Sequence, residues 1–108
     1  MNWIPLEQEA QLEALRAMSY QKPVVLFKHS TRCSISIMAK GRLDRAEQPE
    51  GLDFYYLDLL AFRPLSNKIA ELFAVPHESP QLLLIKEGAC VYEETHNGIS
   101  MEDLCSQL

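Results

Sequence analysis

The chain has 108 residues, is 47% hydrophobic and carries a formal charge of −5. That is enough apolar material for one folded domain, 1–108, with a single core and no low-complexity segment. The acidic balance argues against nucleic acid as a partner, and no apolar run is long enough to span a membrane.

The N-terminus MNWIPLEQEA is polar and acidic, without the basic and apolar regions of a signal peptide, so a cytoplasmic protein is expected. Residues 6–19 follow with Leu6, Ala10, Leu12, Leu15 and Met18 at helical spacing and no breaker. Pro23 opens VVLFK, a continuous apolar run typical of a strand buried on both faces. From Ser34 the apolar positions Ile35, Met38, Ala39, Leu43 and Ala46 predict an amphipathic helix, weakened at Gly41. DFYYLDL reads as the next strand, and LSNKIAELFA as a helix with Ser66 as its cap. VPHESP is too rich in proline for either regular state. QLLLIK and ACVYEE, joined at Glu87–Gly88, form a hairpin, and SMEDLCSQL ends the chain as a short helix capped by Ser100, with Asp103 as the reciprocal acid. The expected architecture is α/β, a four-stranded mixed sheet flanked by helices with an extra N-terminal helix.

Three cysteines, Cys33, Cys90 and Cys105, are an odd number without close spacing. They suggest neither a disulfide framework nor a metal site. Cys33 lies past the carboxyl end of the first strand of this layout, at the start of a helix, where α/β sheets gather ligand and catalytic groups. Unpaired N–H groups and the helix dipole favour a thiolate there. Lys28, His29 and Arg32 would add positive potential if they turn toward the sulfur. Over residues 22–45, six basic side chains (Lys22, Lys28, Arg32, Lys40, Arg42 and Arg45) face one acid, Asp44. A phosphatase loop would need arginine six positions after the cysteine, and that position is Ala39.

FKHSTRCSIS together with HESPQ, within PVVLFKHSTRCSISIMA, YYLDLLAFRPLSNKIAELFAVPHESPQLLLIKEG and THNGIS, resembles the YtxJ family of the bacillithiol system, the monothiol bacilliredoxins. The resemblance covers most of the chain and implies a thioredoxin-like fold. It implies that Cys33 is the nucleophile, that Ser36 stands in place of a resolving cysteine, and that Pro80 is a cis-proline after Ser79. Phe27 stands where thioredoxins carry a buried acid. The implied activity is that of a monothiol thiol–disulfide oxidoreductase, which removes bacillithiol from protein mixed disulfides through a Cys33 mixed disulfide. Bacillithiol is then a co-substrate bearing two carboxylates, bacillithiol-modified client proteins are the partners, and no tightly bound cofactor or metal is expected. His29, Thr31, Arg32, Ser79 and Pro80 are the candidate substrate-binding residues, with Thr31 shaping the loop or capping the helix. The Ser36 hydroxyl is expected to donate a hydrogen bond to the thiolate. The alternative is a non-enzymatic module that binds an iron–sulfur cluster or a client through Cys33 and the Pro80 edge.

Overall fold

The structure is a computed structural model describing all 108 residues. It has five strands, β1 (Trp3–Pro5), β2 (Val24–His29), β3 (Asp53–Asp58), β4 (Gln81–Lys86) and β5 (Ala89–Thr95), in the spatial order β1-β3-β2-β4-β5. β1, β2 and β3 are mutually parallel where they pair, whereas β4 runs antiparallel to β2 and to β5. Four helices, α1 (Glu9–Met18), α2 (Ser34–Arg45), α3 (Arg63–Phe73) and α4 (Met101–Cys105), cover the sheet. The fifth strand corrects the expected four. β1 has only three residues and ends in proline, too short for any period-two signal, and it docks on β3 with Trp3 opposite Phe54.

β2 is central, and all six of its residues are buried, as the uninterrupted apolar run predicts. Val24 and Leu26 face one layer with Leu12, Leu15, Leu65 and Ile69. Val25 and Phe27 face the other, with Ala39, Leu43, Ile99 and Leu104. Removing each of these side chains from water contributes roughly 1.5–3 kcal/mol before the entropy of ordering is subtracted. The alternation has a direct consequence for the site. Lys28 must enter the layer of α1 and α3, and His29 must enter the layer of α2.

α2 begins at Ser34 as predicted and runs through Lys40–Gly41 without a break. Its buried face differs from the expected one. Ser36, Ala39 and Leu43 point inward, while Ile35, Ile37 and Met38 are exposed. Two turns of helix thus bury a serine where the apolar pattern put Ile35. α3 starts at Phe62–Arg63 with Pro64 in its first turn, so Ser66 lies inside the helix, fully buried, rather than capping it. Ser100 does cap α4, its hydroxyl accepting from the Asp103 N–H at 3.1 Å. The hairpin turn places Glu87 and Gly88 at φ 50° and 78°. A Cβ on Gly88 would lie 2.5 Å from the hydroxyl of the exposed Tyr20, which can swing aside, so it is the positive φ of the turn that calls for glycine there. No helix is long and apolar enough to cross a membrane.

Candidate active site

Three segments meet at one end of the sheet. The carboxyl end of β2 runs into the loop Ser30–Cys33. β4 starts beside it, with Gln81 paired to Lys28, so Pro80 is level with His29. The turn after β5 returns to the same place, where the His96 N–H donates to the Pro80 carbonyl at 3.1 Å. The Ser79–Pro80 bond is cis.

Cys33 is the N-cap residue of α2, half-buried, with its own carbonyl accepting from the Ile37 N–H at 2.9 Å. No side chain caps this helix and no acid occupies its first turn. The unpaired N–H groups and the positive end of the dipole are therefore left to the cysteine sulfur. The loop is organised by Ser30, whose carbonyl accepts from the Cys33 N–H at 3.3 Å and whose hydroxyl accepts from the Arg32 N–H at 3.4 Å. The role expected of Thr31 and Arg32 falls to Ser30: Thr31 is exposed and does not cap the helix, and Arg32 takes part through its backbone N–H. A serine directly after a strand, with the chain turning, was the available signal.

Ser36 follows Cys33 by one helical turn, about 4.5 Å along the axis. Its side chain is fully buried. The hydroxyl oxygen accepts from the Ser30 N–H at 3.0 Å and lies 2.7 Å from His29 Nδ1. It bonds to these two groups, which replaces the expected bond to the Cys33 sulfur. The direction of the His29 contact follows the tautomer of the ring: with hydrogen on Nε2 the Ser36 hydroxyl donates to Nδ1, and with hydrogen on Nδ1 it accepts.

His29 is 4% exposed and packs between Phe27 and Tyr56, with ring centroids at 5.8 and 5.5 Å. Trp3 continues the stack at 5.5 Å from Phe27. Burial, then the nearby Lys40 ammonium, hold the imidazole below its ordinary pKa, against the opposing pull of Asp58, the Ser36 backbone and Asp44. Its side chain thus addresses Ser36. Phe27, in place of a buried acid, belongs to this aromatic wall.

The six cations do not form one patch. Lys28 is fully buried on the opposite layer, where its ammonium donates to the Ser66 carbonyl at 3.1 Å and contacts His77 Nδ1 at 3.3 Å. Burial lowers its pKa to about 8. Lys22 pairs with Asp53 at 3.2 Å, at the far end of β2 from the cysteine. Lys40 is held by Asp44 at 2.9 Å, and Arg42 donates to the carbonyls of Ile99 and His96. Arg32, exposed, is the cation of the Cys33 loop itself.

The expected free edge at Pro80 also needs correcting. β4 lies between β2 and β5, and the Pro80 carbonyl is already used by His96. What remains for an incoming chain is the backbone of Ser79, whose buried hydroxyl has no protein partner. Cys90 sits on β5 opposite Ile85, four residues along β4 from Gln81. At roughly 3.3 Å per residue that is about 13 Å from the Pro80 end of the sheet. Its sulfur donates to the Tyr92 carbonyl, and burial raises its pKa. Cys105 is exposed on α4. All three cysteines are free thiols, and no group of three or more His, Cys, Asp or Glu side chains is arranged for a metal ion.

The architecture is shared widely. A solved structure described as "a putative oxidoreductase with a thioredoxin fold" is 31% identical, covers 96% of this chain and 91% of its own, and superposes with a TM-score of 0.84. Fasciola hepatica thioredoxin, at 17% identity, matches 95% of this chain and 93% of its own with a TM-score of 0.74. Thioredoxin f from spinach chloroplast, at 20% identity, matches 97% and 88% with a TM-score of 0.70. These last two show the fold alone. The family model described as monothiol bacilliredoxin BrxC matches residues 4–104. With all but a few terminal residues inside that match, the chain belongs to the monothiol bacilliredoxin BrxC family and is a thiol–disulfide oxidoreductase of thioredoxin fold.

Proposed function

We propose that the protein removes bacillithiol from protein mixed disulfides. The Cys33 thiolate attacks the bacillithiol sulfur of a modified client, the client leaves as a thiol, and Cys33 holds bacillithiol as a mixed disulfide. A free small thiol then attacks that disulfide and regenerates Cys33. The observation that carries this reading is the occupancy of position 36. One turn from the nucleophile, where a second thiol would expel the small thiol internally, stands a buried serine fixed by His29 and Ser30. Cys90 lies far along the sheet, well beyond the span of about 7 Å that a disulfide tolerates between Cα atoms. Cys105, exposed on α4, is not bonded to Cys33 either, and the second step is assigned to a thiol from outside.

Bacillithiol as the co-substrate, and bacillithiol-modified proteins as the partners, rest on the family. The chain offers Arg32 to the two carboxylates of bacillithiol and the backbone of Ser79 to a client segment, while Thr31 lines the same exposed loop. The test is intact mass after exposure to bacillithiol disulfide or to glutathione disulfide. Faster and more complete addition of one bacillithiol at Cys33 supports the reading. Equal addition of both thiols removes the substrate assignment and leaves the monothiol chemistry.

A further inference from the structure

Ser36 is fully buried, and its hydroxyl lies 2.7 Å from Nδ1 of His29, which is itself buried. With the neutral ring carrying its hydrogen on Nε2, the hydroxyl gives its one proton to His29 Nδ1, 2.7 Å away. Its oxygen takes the Ser30 N–H at 3.0 Å. Protonating the imidazole reverses the first bond: Nδ1 becomes a donor, Ser36 accepts from both neighbours, and its hydroxyl proton is freed. The nearest turn of helix toward the amino end carries Cys33. We propose that His29 is a positioning residue for the release step, directing the Ser36 hydroxyl toward the Cys33 sulfur as that sulfur leaves as a thiolate.

The step balances. A small-molecule thiolate attacks the outer sulfur of the Cys33 mixed disulfide, and a new small-molecule disulfide forms. The electron pair of the broken S–S bond goes to Cys33 Sγ. The Ser36 hydroxyl donates to that sulfur while protonated Nδ1 donates to Ser36. Passing one proton along the pair leaves a Cys33 thiol and a neutral imidazole. The groups that face His29 set where it titrates. From α2 these are Lys40, Ser36 and Asp44, and from β3 they are Tyr56 and Asp58, with Phe27 beside it on its own strand. Lys40 opposes protonation, and both aspartates favour it. Burial adds to the effect of Lys40, so the transition lies below the ordinary histidine value of about 6.5.

This inference rests on Cys33 as the exchanging thiol. The mixed disulfide of Cys33 with 2-mercaptoethanol contains no ionisable Cys33 thiol, so its reduction by 2-mercaptoethanol isolates the release step. The rate constant is expressed per attacking thiolate and followed from about pH 8 to pH 5, across histidine titration. In wild type it should rise on the acid side by roughly tenfold, as one hydrogen bond to a charged acceptor would give. His29→Asn, which keeps a hydrogen-bonding group without titrating, should be flat over the same range. Ser36→Ala should be flat too, and adding His29→Asn to it should change nothing further. A role confined to packing would shift the unfolding midpoint and leave the pH profile alone. A flat wild-type profile, or an acid-side rise that survives either substitution, overturns the proposal. Nitrogen NMR of the wild-type His29 ring is a second check that needs no variant. The neutral ring should carry its hydrogen on Nε2, and hydrogen on Nδ1 overturns the relay. If no mixed disulfide forms at Cys33, the monothiol reading falls with it, whereas a normal adduct with a flat profile removes this inference alone.

Discussion

His29 and Ser36 are joined by a 2.7 Å contact, across the junction of β2 and α2, behind Cys33. The Ser30 N–H completes the arrangement, so one hydroxyl satisfies two buried groups from two neighbouring segments. Ser36→Ala should leave the Ser30 N–H and His29 Nδ1 without that partner. The expected cost is about 1–3 kcal/mol of unfolding free energy, the usual cost of stranding buried polar groups. Urea denaturation checks it, and an unchanged midpoint would mean that water replaces the hydroxyl.

Lys28 is a buried ammonium without a carboxylate partner, held by a carbonyl and a neutral imidazole nitrogen. Its folded pKa, about 8, lies below the ordinary value of 10.5. Between those values the unfolded chain keeps a proton that the folded chain has released, so Lys28 makes stability rise with pH across that window. Lys28→Met should remove this dependence. The variant should be more stable than wild type near pH 7, where the charge is buried, and lose that advantage toward about pH 10. Paired denaturation curves at several pH values read the difference, which also cancels the tyrosine titrations common to both. A constant difference would mean that Lys28 stays charged throughout.

Trp3 gives its indole N–H to Asp44 at 2.6 Å and packs with its ring centroid within 6.0 Å of Phe27, Phe54 and Tyr56, edge-on to the last two. Trp3→Ala should detach β1 from β3 and lower stability by about 2–4 kcal/mol, near the lower part of the range for large aromatic truncations. Trp3→Phe should recover most of that. Circular dichroism in urea follows both.

Cys90→Ser and Cys105→Ser should leave transfer intact, and Cys33→Ser should abolish it. Cys90, with its pKa raised by burial, should be the slowest of the three to react with iodoacetamide near neutral pH. Mass-resolved alkylation of the folded protein tests the order. Loss of transfer in a folded Cys90 or Cys105 variant would identify a resolving thiol.

The strand-and-helix order around Cys33 was legible because β2 is an unbroken apolar run and α2 starts at a polar junction. β1 was not, since three residues ending in proline carry no periodicity. The inward face of α2 differs from the apolar pattern for a physical reason. Burial there is decided by what β2 presents, and His29 presents a polar nitrogen that selects Ser36 over Ile35 or Met38. The run of basic residues looked like one patch because sequence does not show that Lys28 and His29 leave β2 on opposite sides. Thr31 is the more obvious loop residue in the sequence, yet Ser30, at the strand end, is the one whose carbonyl and hydroxyl shape the loop. The cis-proline came from the family resemblance, and nothing in the local spacing would have supplied it.

The central claim is that the protein exchanges through one thiol, and a single turnover tests it most directly. Wild type mixed with a bacillithiol-modified client in the absence of free thiol should stop at the Cys33 mixed disulfide, seen as one added bacillithiol by mass, until small thiol is supplied. Ser36→Cys should accept bacillithiol in the same way, then expel it unaided and accumulate an internal Cys33–Cys disulfide, because the new thiol lies one turn away. Release of bacillithiol from wild type without added thiol would contradict the account.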